Sequence, residues 1–288
     1  MKRTVPLLFS LLLSPCLAWA DNFPQKYQAA LSLYNSGKLS DAKLAFENLI
    51  QSAPTTIARD EALVFNAYLE TRLKNDDAAS ALAAQIHDKH LSVLCQLNTL
   101  ALQNKYIELV AISKDLDFNT WPDPLMYEAF TSRANALART RHPESAIADF
   151  QSALKSTASD YEKAQVYLRL GSLYSDQDKS DPRALAAYSE IYNLKGGLTV
   201  LCKAGVARAK LLASQGKGDA AMREFENLKQ ITQQPHWSMI QIGRAEVATQ
   251  LGLTDEATAS YKAITTSVNP PADALEMALS KLQSKVRP

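Results

Sequence analysis

A stack of α-helical hairpins, an all-α solenoid, is the fold class this sequence predicts, and three observations lead to it. Only 9 glycines occur among 288 residues, while alanine and leucine dominate, a composition that favours helix. One block recurs through the chain, first as Ser36 to Ile50 around Ala42 and Phe46. Its aromatic marker then returns at Phe150, Tyr188, Phe225 and Tyr261, at successive separations of 104, 38, 37 and 36 residues. A period of about 34 residues is the size of one helix-turn-helix unit, and the long first separation fits three of them.

Residues 1–20 stand apart from the repeat and read as an export leader. Lys2 and Arg3 supply the charged start. Val5 to Leu13 is an apolar run shorter than the roughly 20 residues a membrane span needs. Ala18-Trp19-Ala20 then offers the small residues at which a signal peptidase cuts. Cleavage after Ala20 starts the mature chain at Asp21, with export to the periplasm and no integral membrane span. Leu13-Ser14-Pro15-Cys16 is a rough lipidation box, and a lipid on Cys16 would instead tether the chain to a membrane face. Pro15 fits that motif poorly, which favours the cut after Ala20. Loss of Lys2 and Arg3 leaves 29 of the 31 basic residues against 30 acidic ones, a net charge of −1. Nucleic-acid partners need a concentrated basic excess, and these charges alternate in sign instead.

Seven helical pairs follow, over roughly residues 24–56, 57–89, 90–121, 122–158, 159–197, 198–234 and 235–269, with a capping helix over 271–285. The first, fourth, sixth and seventh carry the block outright, pairing Ala42 with Phe46, Ala146 with Phe150, Ala221 with Phe225 and Ala257 with Tyr261. The fifth carries a variant that runs from Asp181 through Ala184 to Tyr188. The second and third rest on weaker periodicity, in Ala62 to Leu73 with Asp77 to Asp88, and in Leu91 to Leu102 with Tyr106 to Leu116. Pro270-Pro271 opens the last helix, whose charged end suits a terminal repeat with a wet outer face.

The block has a physical grammar. Small residues in the first helices (Ala30, Ala134, Gly171, Ala209, Ala245) and in the second ones let two helices approach closely. The aromatic four residues after the second-helix alanine shares its face and can fill the gap to the next repeat. Gly37, Gly216 and Gly252 sit where a first helix ends in a left-handed residue. Asp123-Pro124 and Asp181-Pro182 read as an N-cap carboxylate followed by proline at the first helical position.

On these residues the mature chain resembles the tetratricopeptide repeat family, most strongly in the first and in the fourth to seventh units. The second and third units lack the alanine-aromatic pairing and could be another kind of helical hairpin. The resemblance implies a right-handed superhelix of about seven repeats, in which the first helices line a concave groove that holds extended or helical segments of protein partners. Carried over by position, the groove residues are Tyr27, Leu31, Tyr34 and Asn35, then Asn135 and Arg139, Leu168 and Ser172, Lys203 and Lys210, and Glu246. For Tyr27, Leu31 and Tyr34, packing against Phe23 is an equal alternative; for Arg139, Lys203 and Lys210 it is a solvated face. Some members of the family clamp a terminal carboxylate; Asn135 matches one clamp position, but Thr131 stands where a lysine is needed.

Catalytic constellations are not apparent. Gly216-Lys217-Gly218-Asp219 is a turn between helices and not a phosphate loop, and no Gly-x-Ser-x-Gly elbow occurs. His87 and His90, read as three apart on one helix with Cys95 nearby, fall short of the three or four ligands of a zinc site. Cys95 and Cys202 lie about three repeats apart in a linear stack, too far for a disulfide, and are predicted to be free thiols. The expectation is a non-catalytic adaptor of the bacterial cell envelope, with no cofactor and no metal. A lipid-tethered assembly factor and a helical module of a cell-wall enzyme are the alternatives.

Overall fold

A computed structural model describes residues 22–284, so residues 1–20, Cys16, the cut after Ala20 and Lys285 at the end of the expected capping helix lie outside the described residues. Within them the regular structure is helical throughout, and it divides into two compact units, Met1–Thr157 and Ala158–Pro288.

The first unit holds four hairpins: α1 (Phe23–Asn35) with α2 (Leu39–Ser52), α3 (Thr56–Arg72) with α4 (Asp76–Ala83), α5 (Lys89–Leu102) with α6 (Tyr106–Ser113), and α7 (Asp123–Arg139) with α8 (Pro143–Lys155). Each helix packs on its hairpin partner, and the first helices α3, α5 and α7 pack in series. The second unit holds α9 (Asp160–Gln177) with α10 (Pro182–Glu190), α11 (Leu198–Ser214) with α12 (Gly218–Asn227), α13 (His236–Gln250) with α14 (Thr254–Thr265), and the last helix α15 (Ala272–Ser284) against α14.

The grammar of small and aromatic residues explains this packing. Ala30, Ala42, Ala134, Ala146, Ala184, Ala209, Ala221, Ala245 and Ala257 are completely buried, and Phe46, Phe150, Tyr188, Phe225 and Tyr261 are buried beside them. A Cβ on Gly171 would come within 2.5 Å of the Tyr188 ring, so only glycine lets α9 and α10 meet there. Phe46 reaches into the next hairpin as expected, stacked on Phe65 of α3 with ring centroids 5.5 Å apart and planes 8° from parallel.

Six of the seven first helices close in the same way. After α1, the amide of Lys38 reaches the carbonyl of Leu33 and that of Gly37 the carbonyl of Tyr34, around a left-handed Gly37 at φ 81°. The same paired bonds follow α11 and α13 at Gly216 and Gly252. They also follow α3, α5 and α7, where the left-handed residue is Lys74, Asn104 or Arg141, at φ 69°, 63° and 63°. These corners lack the glycine, yet the helix ends demand the same turn, because the last carbonyls must find donors. An exposed side chain on a left-handed backbone costs about 1 kcal/mol. Arg141→Gly is therefore expected to raise stability by about 0.5–1 kcal/mol in urea unfolding, whereas the same change at Arg139, inside α7, should lower it.

Helix starts divide. Asp181 caps α10 as expected, its Oδ1 accepting the amide of Arg183 at 2.8 Å. Asp123 does not cap α7: Pro122 holds the N-cap and Asp123 is the first helical residue, placing its charge at the positive end of the helix. His87 and His90 are likewise not on one helix. α4 ends at Ala83, and His87 lies in the connector, where the buried Asp60 of α3 accepts the amides of His87 and Asp88, each at 2.9 Å. His90 opens α5 and packs its ring 5.1 Å from that of Trp121. Among the described residues no cluster of histidine, cysteine and carboxylate side chains is able to hold a metal ion, and no helix is long and apolar enough to cross a membrane.

Candidate functional site

The face that the first helices share differs between the two units. In the first unit Tyr27, Leu31 and Tyr34 are buried core residues. The Tyr27 ring meets Phe46 and Phe65 edge-on at 5.6 and 5.9 Å, and Tyr34 meets Phe65 at 6.2 Å while the Arg72 guanidinium covers its other side at 4.6 Å. Further along, polar bonds take over from the rings. Asn98 of α5 donates to the hydroxyl of Tyr68 on α3 at 2.8 Å, and Ser132 of α7 donates to the side-chain oxygen of Asn98. One chain of contacts thus ties three first helices together. Asn35, Asn135 and Arg139 stay exposed at its margin. Asn135 donates to the carbonyl of Thr131 in its own helix at 2.7 Å, and Arg139 lies 5.9 Å over the Tyr106 ring. Thr131, at the position a carboxylate clamp would need to be lysine, is buried and donates to the carbonyl of Glu128.

In the second unit the corresponding residues remain open. Ser172, Lys203 and Lys210 are exposed, while Leu168 and Glu246 are half-buried. Lys210 and Glu246 pair with each other at 2.6 Å, joining α11 to α13, and Lys203 has no ion-pair partner among the described residues. Thr199 and His236 join the starts of the same two helices at 2.8 Å. The sequence reading missed that contact, because residues 37 apart reveal themselves only as a common offset between repeats. Behind this face Glu224 is held by Arg208 at 2.9 Å and by the Tyr192 hydroxyl at 3.0 Å. Burial and the adjoining carboxylate push the Tyr192 phenol well up, so it serves as a donor throughout the physiological range.

Cys95 and Cys202 are free and buried, one in each unit. Burial pushes the Cys95 thiol up to about 12, which leaves it inert as a nucleophile.

Glu61 of α3 was also missed, although its spacing held a signal: Ile57, Glu61, Phe65 and Tyr68 form one stripe at helical spacing, apolar but for the glutamate. Glu61 is half-buried, and burial raises its carboxyl to about 7; its charge in turn raises the already desolvated phenol of Tyr27.

Helical hairpins joined by Schellman corners, with small residues at the closest approach and a facing aromatic one turn on, define a helical repeat protein. Among solved structures, a tetratricopeptide repeat protein from Parabacteroides merdae superposes at a TM-score of 0.50 and 12% identity, over 90% of this chain and 98% of the other. The TPR domain of P58(IPK) matches at a TM-score of 0.24 and 14% identity, over 93% of this chain and 100% of the other. The C-terminal part of a TPR repeat-containing protein from Cytophaga hutchinsonii does so at 0.27 and 13%, over 87% and 98%. Only the first superposition is tight enough to bear on the fold. No family model matches the sequence, and no curated protein matches it. That likeness to a solved structure is one of fold: an all-α stack of helical hairpins.

Proposed function

We propose that this chain is a non-catalytic interaction scaffold of the bacterial cell envelope, which holds a segment of a protein partner along the first helices of its second unit. The observation that carries this reading is the contrast between the two faces. Aromatic rings and a polar ladder join the first helices of the first unit, whereas in the second Ser172 of α9 and Lys203 and Lys210 of α11 are exposed and Leu168 is half-buried. A half-buried leucine among exposed polar side chains is the usual make-up of a surface that docks an amphipathic helix or an extended peptide. The leader over residues 1–20 supports export, and the absence of a catalytic constellation in the sequence supports a binding role.

A photo-crosslinking residue at position 203, in chain exported to the envelope of a double-membraned bacterium, is expected to trap discrete partners, and one at position 35 or 139 is not. The double charge reversal Lys203→Glu with Lys210→Glu should lower partner recovery about tenfold, since it sets like charges beside Glu246 and removes two cations. Unchanged recovery by the double variant, or adducts at 35 and 139 with none at 203, would place the binding surface elsewhere.

A further inference from the structure

Among the described residues the buried acids Asp60, Glu70, Asp149 and Glu224 are held by partners, and the half-buried Glu61 is not. Asp60 accepts two backbone amides at 2.9 Å. Glu70 is held by Lys43 at 2.5 Å and Asn75 at 2.8 Å, and Asp149 takes both prongs of Arg133 at 2.7 and 2.9 Å. Glu224 has Arg208 and Tyr192. Glu61 is half-buried and has no hydrogen bond or ion pair among the described residues. Phe65 follows it by one turn on the same face, and Tyr27 comes over from α1 with its ring 5.9 Å from that of Phe65. Both rings are buried. Ile57, one turn before Glu61, is 54% exposed, a large apolar side chain left in solvent beside the carboxylate.

Water taken from a carboxylate must be replaced by a proton or a cation, because an uncompensated buried charge is expensive. In the free protein a proton does this work below a pH of about 7. Tyr27 is the ionisable group that Glu61 faces, and it offers no positive charge. We propose that Glu61, with Ile57 beside it and the buried Tyr27 and Phe65 rings nearby, is a seat for an arginine or lysine of a bound protein segment whose adjoining side chain is apolar. The complementarity is of both kinds: a desolvated anion for the cation, and an exposed isoleucine for the apolar neighbour. A cation delivered here displaces the proton, so binding should release protons near neutral pH. This inference rests on the reading of the chain as a holder of protein segments, but it concerns the first unit, not the face at Lys203.

The test uses the full mature chain and two capped tripeptides, Leu-Arg-Leu and Leu-Gln-Leu, followed by carbon-13 NMR of the glutamate carboxyls, with Glu61 assigned through Glu61→Gln. The arginine peptide is expected to bind about tenfold more tightly than its glutamine counterpart at pH 8 and to shift the Glu61 titration downward by about one pH unit. Glu61→Gln should abolish the preference. It should also fold, because the folded state favours the proton-bearing acid: in the parent, stability falls as pH rises from about 4.5 toward 7, and in the variant that fall is absent. Equal affinity for the two peptides, or a Glu61 titration that the arginine peptide does not move, overturns the proposal. Trapping of partners at position 203 together with equal peptide affinities would sink this seat and leave the scaffold reading standing. An arginine preference with no adducts at 203 would do the reverse.

Discussion

Arg133→Ala is expected to destabilise the first unit by about 3–5 kcal/mol, the range for removing one member of a buried ion pair. The guanidinium of Arg133 donates from Nε and Nη2 to the two oxygens of Asp149 at 2.7 and 2.9 Å, and from Nη1 to the carbonyls of Ser113 and Leu116 at 2.8 and 3.1 Å. Its flat face lies 4.3 Å from the Phe118 ring. One side chain of α7 therefore satisfies α8, the end of α6 and the connector between α6 and α7. Alanine would strand the buried carboxylate of Asp149 and two carbonyls at once, and the stranded anion is the largest part of the cost. The exposed pair Lys114 and Asp115, at 3.8 Å, should contribute almost nothing when either partner is removed. Urea unfolding measures the difference, and hydrogen exchange should show protection lost first in residues 113–121. The double variant Arg133→Met with Asp149→Leu should recover most of the loss, since well-packed apolar residues can replace a buried pair. A single-variant loss below about 1 kcal/mol would mean that water enters the site and solvates Asp149.

Phe225→Ala should cost the second unit a similar amount, about 3–5 kcal/mol, through a different mechanism. Phe225 is 2% exposed and sits among Cys202, Ala209, Leu212, Ala221, Leu228, Ile240 and Val247, residues of three successive helices together with the end of α12. The alanines at 209 and 221 cannot move in to close the space, because they already sit where their helices touch. A cavity therefore remains, and its volume adds to the lost transfer energy of the ring. Phe225→Leu, which keeps most of the volume, is expected to cost only about 1–1.5 kcal/mol. In a stack of repeats each unit is stabilised by its neighbours, so thermal melting of the Phe225→Ala chain should broaden as well as shift. A sharp transition at the parental temperature would contradict the packing described for Phe225.

Much of the fold was legible because its causes are local. The alanine and the aromatic four residues later lie on one helix, so their spacing alone places them on one face, and all five such pairs are buried in the structure. The second and third hairpins were faint for an equally local reason. Lys74 and Asn104 occupy left-handed corners where glycine is the readable sign, and on α4 it is Ala83, not an aromatic residue, that follows Ala79 by four. Charge was the least legible feature. Arg133, Asp149, Arg208 and Glu224 look in sequence like members of solvated helix faces with alternating sign, yet each pair is drawn together across two helices and largely withdrawn from water.

The sequence by itself determined most of the helices, their order, the small contacts between them and the three corners marked by Gly37, Gly216 and Gly252. Periodicity and helix-end requirements act over three or four residues, within the reach of a single helix. Tertiary structure decided which helical faces remain open. Tyr68, Asn98 and Ser132 come from three hairpins and bond along one face, while Lys210 and Glu246, 36 residues apart, pair across another and leave Lys203 in water. Whether a polar side chain serves the fold or a partner depends on what the next repeat sets opposite it, and that neighbour is fixed by packing distance, not by sequence separation.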